Sequence, residues 1–95
     1  MNGLRAFFTE FSLFQNYPNP FNPTTTISFA LPNRSHVALG VYNILGQKVA
    51  ELVNGDFEAR YHEVKYEASN VASGVYFYRL KAGNVLETKR LVVLR

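Results

Sequence analysis

The chain has 95 residues, 47% of them hydrophobic and 15% aromatic, with a net charge of +3. That length makes one domain, and eight Phe and six Tyr can fill its core. Absence of cysteine excludes disulfides and thiolate metal sites, and the mild basicity lacks the clustered cationic face of a nucleic-acid binder.

No stretch approaches the roughly eighteen apolar residues that span a bilayer. The opening MNGLRAFFTEFSLF is interrupted by Arg5 and Glu10 and has no cationic start, so it does not read as a signal peptide. Any leader is expected on a longer polypeptide. Leu4, Phe7 and Phe8 have near-helical spacing, but residues 1–11 are assigned as a tail or linker, native or appended. The domain itself is placed at residues 12–95, starting with an extended piece around Phe11 and Leu13.

Asn16-Tyr17-Pro18-Asn19-Pro20-Phe21-Asn22-Pro23 is the most unusual stretch. Pro18, Pro20 and Pro23 remove backbone donors, fix φ and push their preceding residues toward extended conformations. The segment is therefore predicted to be a rigid crossing between sheets or along an edge, pinned by Tyr17 and Phe21. Its asparagines bring no carboxylate for a hard cation, so turn formation is their expected use.

Thr24 to Leu31 alternates as a strand, with Ile27, Phe29 and Leu31 on one face. His36 to Asn43 follows, with Val37, Leu39 and Val41 inward. Asn43-Ile44-Leu45-Gly46-Gln47 is a tight hairpin in which Gly46 takes positive φ. Lys48 to Val53 returns as a shorter strand, ending at the Asn54-Gly55 turn signal.

Tyr61 to Glu67 alternates again and puts His62 on the apolar side, as a packed core residue. His36 is assigned to a turn, without a partner. The Ser73-Gly74 corner opens the strand Val75 to Leu80, apolar on both faces and so predicted to be central. Tyr76, two residues after that corner, resembles the tyrosine corner of immunoglobulin-like sandwiches. Lys81-Ala82-Gly83-Asn84 turns into a last strand, Val85 to Arg95. About seven short strands with regular turn signals predict an all-β, antiparallel, immunoglobulin-like sandwich.

The seven carboxylates and two histidines are scattered, with no acid–base pair, nucleophile elbow, phosphate loop or metal spacing. The expectation is a non-catalytic domain without cofactor.

Gln15 to Thr25 resembles the opening of the C-terminal sorting domains carried by type IX secretion cargo. Val41 to Val49 is similar to their central hairpin, Ala72 to Leu80 to their penultimate strand, and Thr88 to Arg95 to their basic-apolar ending. The resemblance implies an immunoglobulin-like sandwich that directs a passenger on the same polypeptide through an outer-membrane translocon. It also implies transit through the periplasm of a Gram-negative cell, a sortase-like peptidase and a destination at the cell surface or outside. Two departures stand out: Arg60 where a glycine is usual before His62, and Tyr66-Glu67 where Trp-Asp is common.

The recognition element is placed on the last strand. Leu91, Val92, Val93 and Leu94 would give shape, and Lys89, Arg90 and Arg95 orientation, with free backbone donors and acceptors pairing a receptor edge. Gly74, Tyr76, Pro18, Pro20, Phe21 and Gly46 would support it structurally. An open final strand also suits a strand-swapped homodimer. The alternative is an accessory carbohydrate-binding or structural sandwich of a secreted enzyme, which would enlist Tyr42, Tyr61 and Tyr78.

Overall fold

A computed structural model describes residues 10–95; the tail assignment falls largely outside the described residues. Seven strands follow one another: β1 Ser12–Leu13, β2 Thr24–Ala30, β3 Ser35–Tyr42, β4 Lys48–Phe57, β5 Tyr61–Glu67, β6 Gly74–Ala82 and β7 Val85–Val93. They form two antiparallel sheets, β1-β2-β5 and β4-β3-β6-β7. The architecture is the predicted all-β sandwich, with no helix among the described residues.

Alternation in the sequence decides what each face buries. Ile27 and Phe29 from β2, Val37, Leu39 and Val41 from β3, and Tyr78 and Leu80 from β6 are all sealed from solvent. Tyr66 and His62 from β5 close the core on the other layer. His62 stacks on Phe29 with 5.2 Å between ring centroids, meets Phe57 edge-on, and bonds through Nε2 to the Glu58 carbonyl at 2.8 Å. It is the packed histidine that its parity predicts.

β6 lies between β3 and β7, as its two apolar faces require. Gly74 enters it at φ 149° and Gly46 closes the β3–β4 hairpin at φ 81°, backbone regions costly for any side chain. The Tyr76 hydroxyl donates to the Ala72 carbonyl at 2.8 Å, so the corner is tied back to the chain just upstream.

Asn54-Gly55 is not a turn. Both residues lie within β4, opposite Ala38 and Val37, and the strand runs on to Phe57. Pairing with the full length of β3 outweighs the local turn preference, and the chain reverses at Glu58–Arg60 instead. Among the described residues none but glycine has positive φ, so Arg60 completes that reversal without the glycine usual there.

The proline-rich segment crosses between the sheets. Tyr17 bridges to Thr26 of β2, and Phe21 forms a parallel bridge to Val93 of β7. Phe21 is buried and meets Tyr66 edge-on at 6.1 Å. Tyr17, however, is 81% exposed and pins nothing with its ring. The second anchor is polar. Buried Asn16 donates through Nδ2 to Thr25 Oγ1 at 3.0 Å and to the Pro18 carbonyl at 3.2 Å. Thr25 Oγ1 donates to that same carbonyl at 2.7 Å.

Tyr78 completes this knot. Its hydroxyl donates to the Phe14 carbonyl at 2.7 Å and accepts from the Asn16 N–H at 2.9 Å. Burial pushes its phenol up to about 12, against a hydrogen bond from Asn16 that acts the other way. The folded domain therefore holds this proton more tightly than the unfolded chain. Stability from Tyr78 is complete below its ordinary pKa of 10.0 and is lost as pH climbs through about 12. Tyr78→Phe strands two backbone groups and should cost about 1–3 kcal/mol in denaturant unfolding at neutral pH. The same variant should lose part of the alkaline decline; a stability equal to that of the parent would refute the tie.

Candidate recognition surface

β7 pairs along its whole length with β6, from Gly74↔Val93 to Ala82↔Val85. Its odd-numbered residues face the core: Leu91 and Val93 are fully buried, and Lys89, opposite Tyr78, is half-buried. Arg90 and Leu94 are exposed, and Val92 lies between these extremes. The apolar run is thus split into two residues that build the sandwich and two that face outward.

The outer backbone edge of this run is not free. Gln15 Nε2 donates to the Arg90 carbonyl at 2.7 Å, and the Val92 N–H donates to Asn19 Oδ1 at 2.9 Å. The Phe21 N–H donates to the Val92 carbonyl at 3.1 Å, and the Leu94 N–H to the Phe21 carbonyl at 2.9 Å. A proline-rich segment has few donors, yet two of those left to it, from Gln15 and Phe21, are spent on this strand. The expectation of unpaired backbone groups across Arg90–Leu94 is corrected accordingly. Among the described residues, none hydrogen-bonds the earlier part of that edge, around Leu86 and Thr88.

Arg95 is likewise occupied. Its guanidinium donates to the carbonyls of Ala68, at 2.6 Å, and Ser69, and its N–H donates to Ser73 Oγ at 2.8 Å. It latches the β5–β6 connection onto the end of β7. Of the three cations assigned to orientation, only Arg90 stands exposed with no such bond on its side chain among the described residues. Pro18, Pro20, Phe21, Gly74 and Tyr76 surround this end of β7, whereas Gly46 belongs to the separate β3–β4 hairpin.

His36 lies in β3 rather than in a turn, and it has partners. Its Nδ1 is 3.0 Å from Asp56 Oδ1 and its Nε2 is 2.7 Å from Asn54 Oδ1. Register sets this, since His36 sits opposite Asp56. Asn54 in turn donates to Glu51, which accepts from Lys48 at 2.7 Å, while Arg34 pairs with Asp56 and Glu58. A histidine beside an aspartate can serve as a general base, but both ring nitrogens of His36 face acceptors and neither is open to a substrate.

Hydrogen bonds to Asp56 and Asn54 raise the His36 pKa above 6.5. Its small contribution to stability is present below 6.5 and disappears as pH rises through the raised folded value. Proton NMR titration should show His36 titrating above 6.5, moving down in Asp56→Asn. An identical midpoint in the two proteins would contradict the pairing.

A family profile described as "Secretion system C-terminal sorting domain" matches residues 15–94. The chain belongs to the type IX secretion C-terminal sorting domain family. No curated protein and no solved structure matches it significantly. Sorting domains of this family are non-catalytic signals that send a passenger on their own polypeptide to the cell surface or the extracellular space. The match starts at Gln15, the residue whose side chain caps the Arg90 carbonyl, and so takes in both the proline-rich segment and the strand it covers. Tyr66 is buried and packs edge-on against Phe21.

In this sorting domain the proline-rich segment and the last strand form one unit. Asn19→Ala removes the acceptor of the Val92 N–H and should cost about 0.5–1.5 kcal/mol. Hydrogen exchange at Val92 should quicken while the Tyr78-side amides of β6 stay protected. Unchanged exchange at Val92 would show that Asn19 does not hold that edge.

Proposed function

We propose that this domain addresses its passenger to an outer-membrane translocon after transit through the periplasm, and that outward side chains at the end of β7 are read there. The domain does no chemistry itself; a sortase-like peptidase would act on it once the passenger is across. The observation that carries this reading is the division of labour within Lys89–Arg95. Leu91 and Val93 are committed to the core and Arg95 to the β5–β6 connection, which leaves Arg90, Val92 and Leu94 for a partner. Lys89 contributes its stem to the core margin and its charge to the surface.

Recognition by side chains on a folded domain replaces simple strand addition, because Gln15, Asn19 and Phe21 already hold the edge. Strand addition would require the proline-rich segment to lift away. The same applies to a strand-swapped homodimer: exchange of β7 would rebuild those contacts between two copies.

The carbohydrate-binding reading lacks its platform. Tyr78 is inside the core, Tyr61 lies on β5 of the three-stranded sheet, and Tyr42 belongs to β3 of the other. Three tyrosines on three surfaces cannot stack on one sugar chain.

Removing the end of β7 is a poor test, since it also removes two core residues. Arg90→Glu with Leu94→Ser leaves the core intact. Fused behind an inert exported reporter, the full chain carrying both changes should melt as the parent does. Secreted reporter should fall several-fold, with accumulation in the periplasmic fraction. Export at the parent level would end the assignment of recognition to this strand.

A further inference from the structure

The β3–β4 hairpin displays two aliphatic side chains that the fold does not use. Ile44 is 72% and Leu45 77% exposed. The turn carrying them is not loose. Asn43 Oδ1 accepts from the N–H groups of Leu45 at 2.9 Å and Gln47 at 3.0 Å, and Asn43 Nδ2 donates to Gln47 Oε1 at 2.8 Å. Backbone bonds from Asn43 to Gln47 and from Gly46 to Asn43, both 2.9 Å, close it. Two neighbouring apolar groups are therefore held in water by a rigid frame, at a position where no core is within reach.

Ile44 forms a ridge between two clefts. One, of about 190 Å³, runs over Tyr42, Phe77, Arg79 and Thr88 on the outer face of the four-stranded sheet. The other, of about 350 Å³, runs along Ser73, Gly74, Val75 and Tyr76 at the start of β6. Tyr42 floors the first, lying close over Gly40, where a side chain would meet its ring at 3.2 Å. The Arg79 guanidinium is stacked above Tyr42, 4.4 Å from the ring centroid.

Charge on this face is segregated. Glu51 and Asp56 sit at the β4 side, where Lys48, Arg34 and His36 neutralise them. Arg79, Lys81 and Arg90, on β6 and β7, form no salt bridge among the described residues. Arg79 lines the first cleft, and register places Arg90 opposite Phe77 beside it.

We propose that the Ile44-Leu45 tip with the Phe77–Arg79 cleft is a second docking surface, for a partner protein presenting an apolar groove bordered by carboxylates. This rests on the sorting reading and adds a surface away from the end of β7. Exposed aliphatics next to a shaped cleft are the pattern of interface hot spots, and unpaired cations select an acidic rim. An arginine pre-set on an aromatic face suits a carboxylate in a fixed geometry.

The test uses the full chain fused to an inert exported reporter, in a host that exports the same reporter on its own sorting domain. Ile44→Ser/Leu45→Ser, Leu45→Ser alone and Arg79→Glu are compared with the parent, and the melting temperature of each purified chain is recorded. The expected result is an unchanged melting temperature with secreted reporter reduced on the order of tenfold in the double variant and in Arg79→Glu. If the double variant melts early, Leu45→Ser carries the comparison, with a smaller loss expected. Parent-level secretion from folded variants overturns the second surface while leaving the sorting reading intact. Failure of the parent fusion where the host's own domain succeeds removes both. Co-sedimentation of the parent with phosphatidylglycerol vesicles, lost in the variants, would assign the surface to lipid and overturn the protein partner.

Discussion

The hydroxyl of Tyr78 sits where the two layers of the sandwich are tied together. It comes from the central strand of one sheet and satisfies the Phe14 carbonyl and Asn16 N–H of the segment flanking β2 in the other. A fully buried phenol must find both a donor and an acceptor or forfeit the gain of its burial. Here it finds them in the stretch that runs from β1 to β2 and reaches across to the other sheet. Asn16, Thr25 and the Pro18 carbonyl extend the same tie, so the polar atoms inside the core are all mutually satisfied there. From this knot the chain is aimed at Phe21 and onto the edge of β7.

That route explains why the prolines are placed as they are. A segment that crosses between layers cannot take a regular ladder, so loss of the N–H groups at Pro18, Pro20 and Pro23 costs it little. The donors and acceptors that remain, from Gln15, Asn19 and Phe21, are the ones needed to close an open sheet edge. Edge strands invite unwanted pairing, and covering them is one of the ways proteins prevent it. In a domain that must stay unaggregated until it is recognised, a closed β7 edge is a sensible constraint. Besides β7 and the short β1, the outer strands are β4 and β5. β4 carries register shifts at Leu39/Gly40 and Val41/Tyr42, which blunt it, and β5 lines its outward face with Glu63, Lys65 and Glu67.

Much of the fold was legible before any coordinates, because period-two alternation is a direct consequence of strand geometry. Ile27, Phe29, Val37, Leu39, Val41, His62, Tyr66, Tyr78 and Leu80 all face the side that alternation assigns. Local rules failed where a distant partner decided the outcome. Asn54-Gly55 is a turn in isolation and a strand once β3 lies beside it. Tyr17 looked like an anchor because it is aromatic, but the buried anchor is Asn16, whose value depends on Thr25 and on a tyrosine 62 positions away. His36 appeared to have no partner because Asp56 becomes its neighbour only through register. At the candidate site, the split of Leu91 and Val93 from Val92 and Leu94 follows from alternation. Cover from Gln15, Asn19 and Phe21 does not, since nothing local announces which edge a crossing segment will reach.

The consequence for recognition is a separation of tasks by face. The apolar residues of the core, such as Leu91 and Val93, are sealed from solvent, and a partner cannot read them without unfolding the domain. On the proposed reading, the groups left to a partner are Arg90, Val92 and Leu94 beside the covered edge, and Ile44, Leu45 and Arg79 beyond it. These groups stand on β6 and β7 or just past the ends of β3 and β7, three neighbours in one sheet. Their spacing is fixed by hydrogen-bonded register, and that register is fixed in turn by the knot around Tyr78. On that reading, a change in the knot would act on recognition through the fold, whereas a change at the tip would act with the fold unaltered.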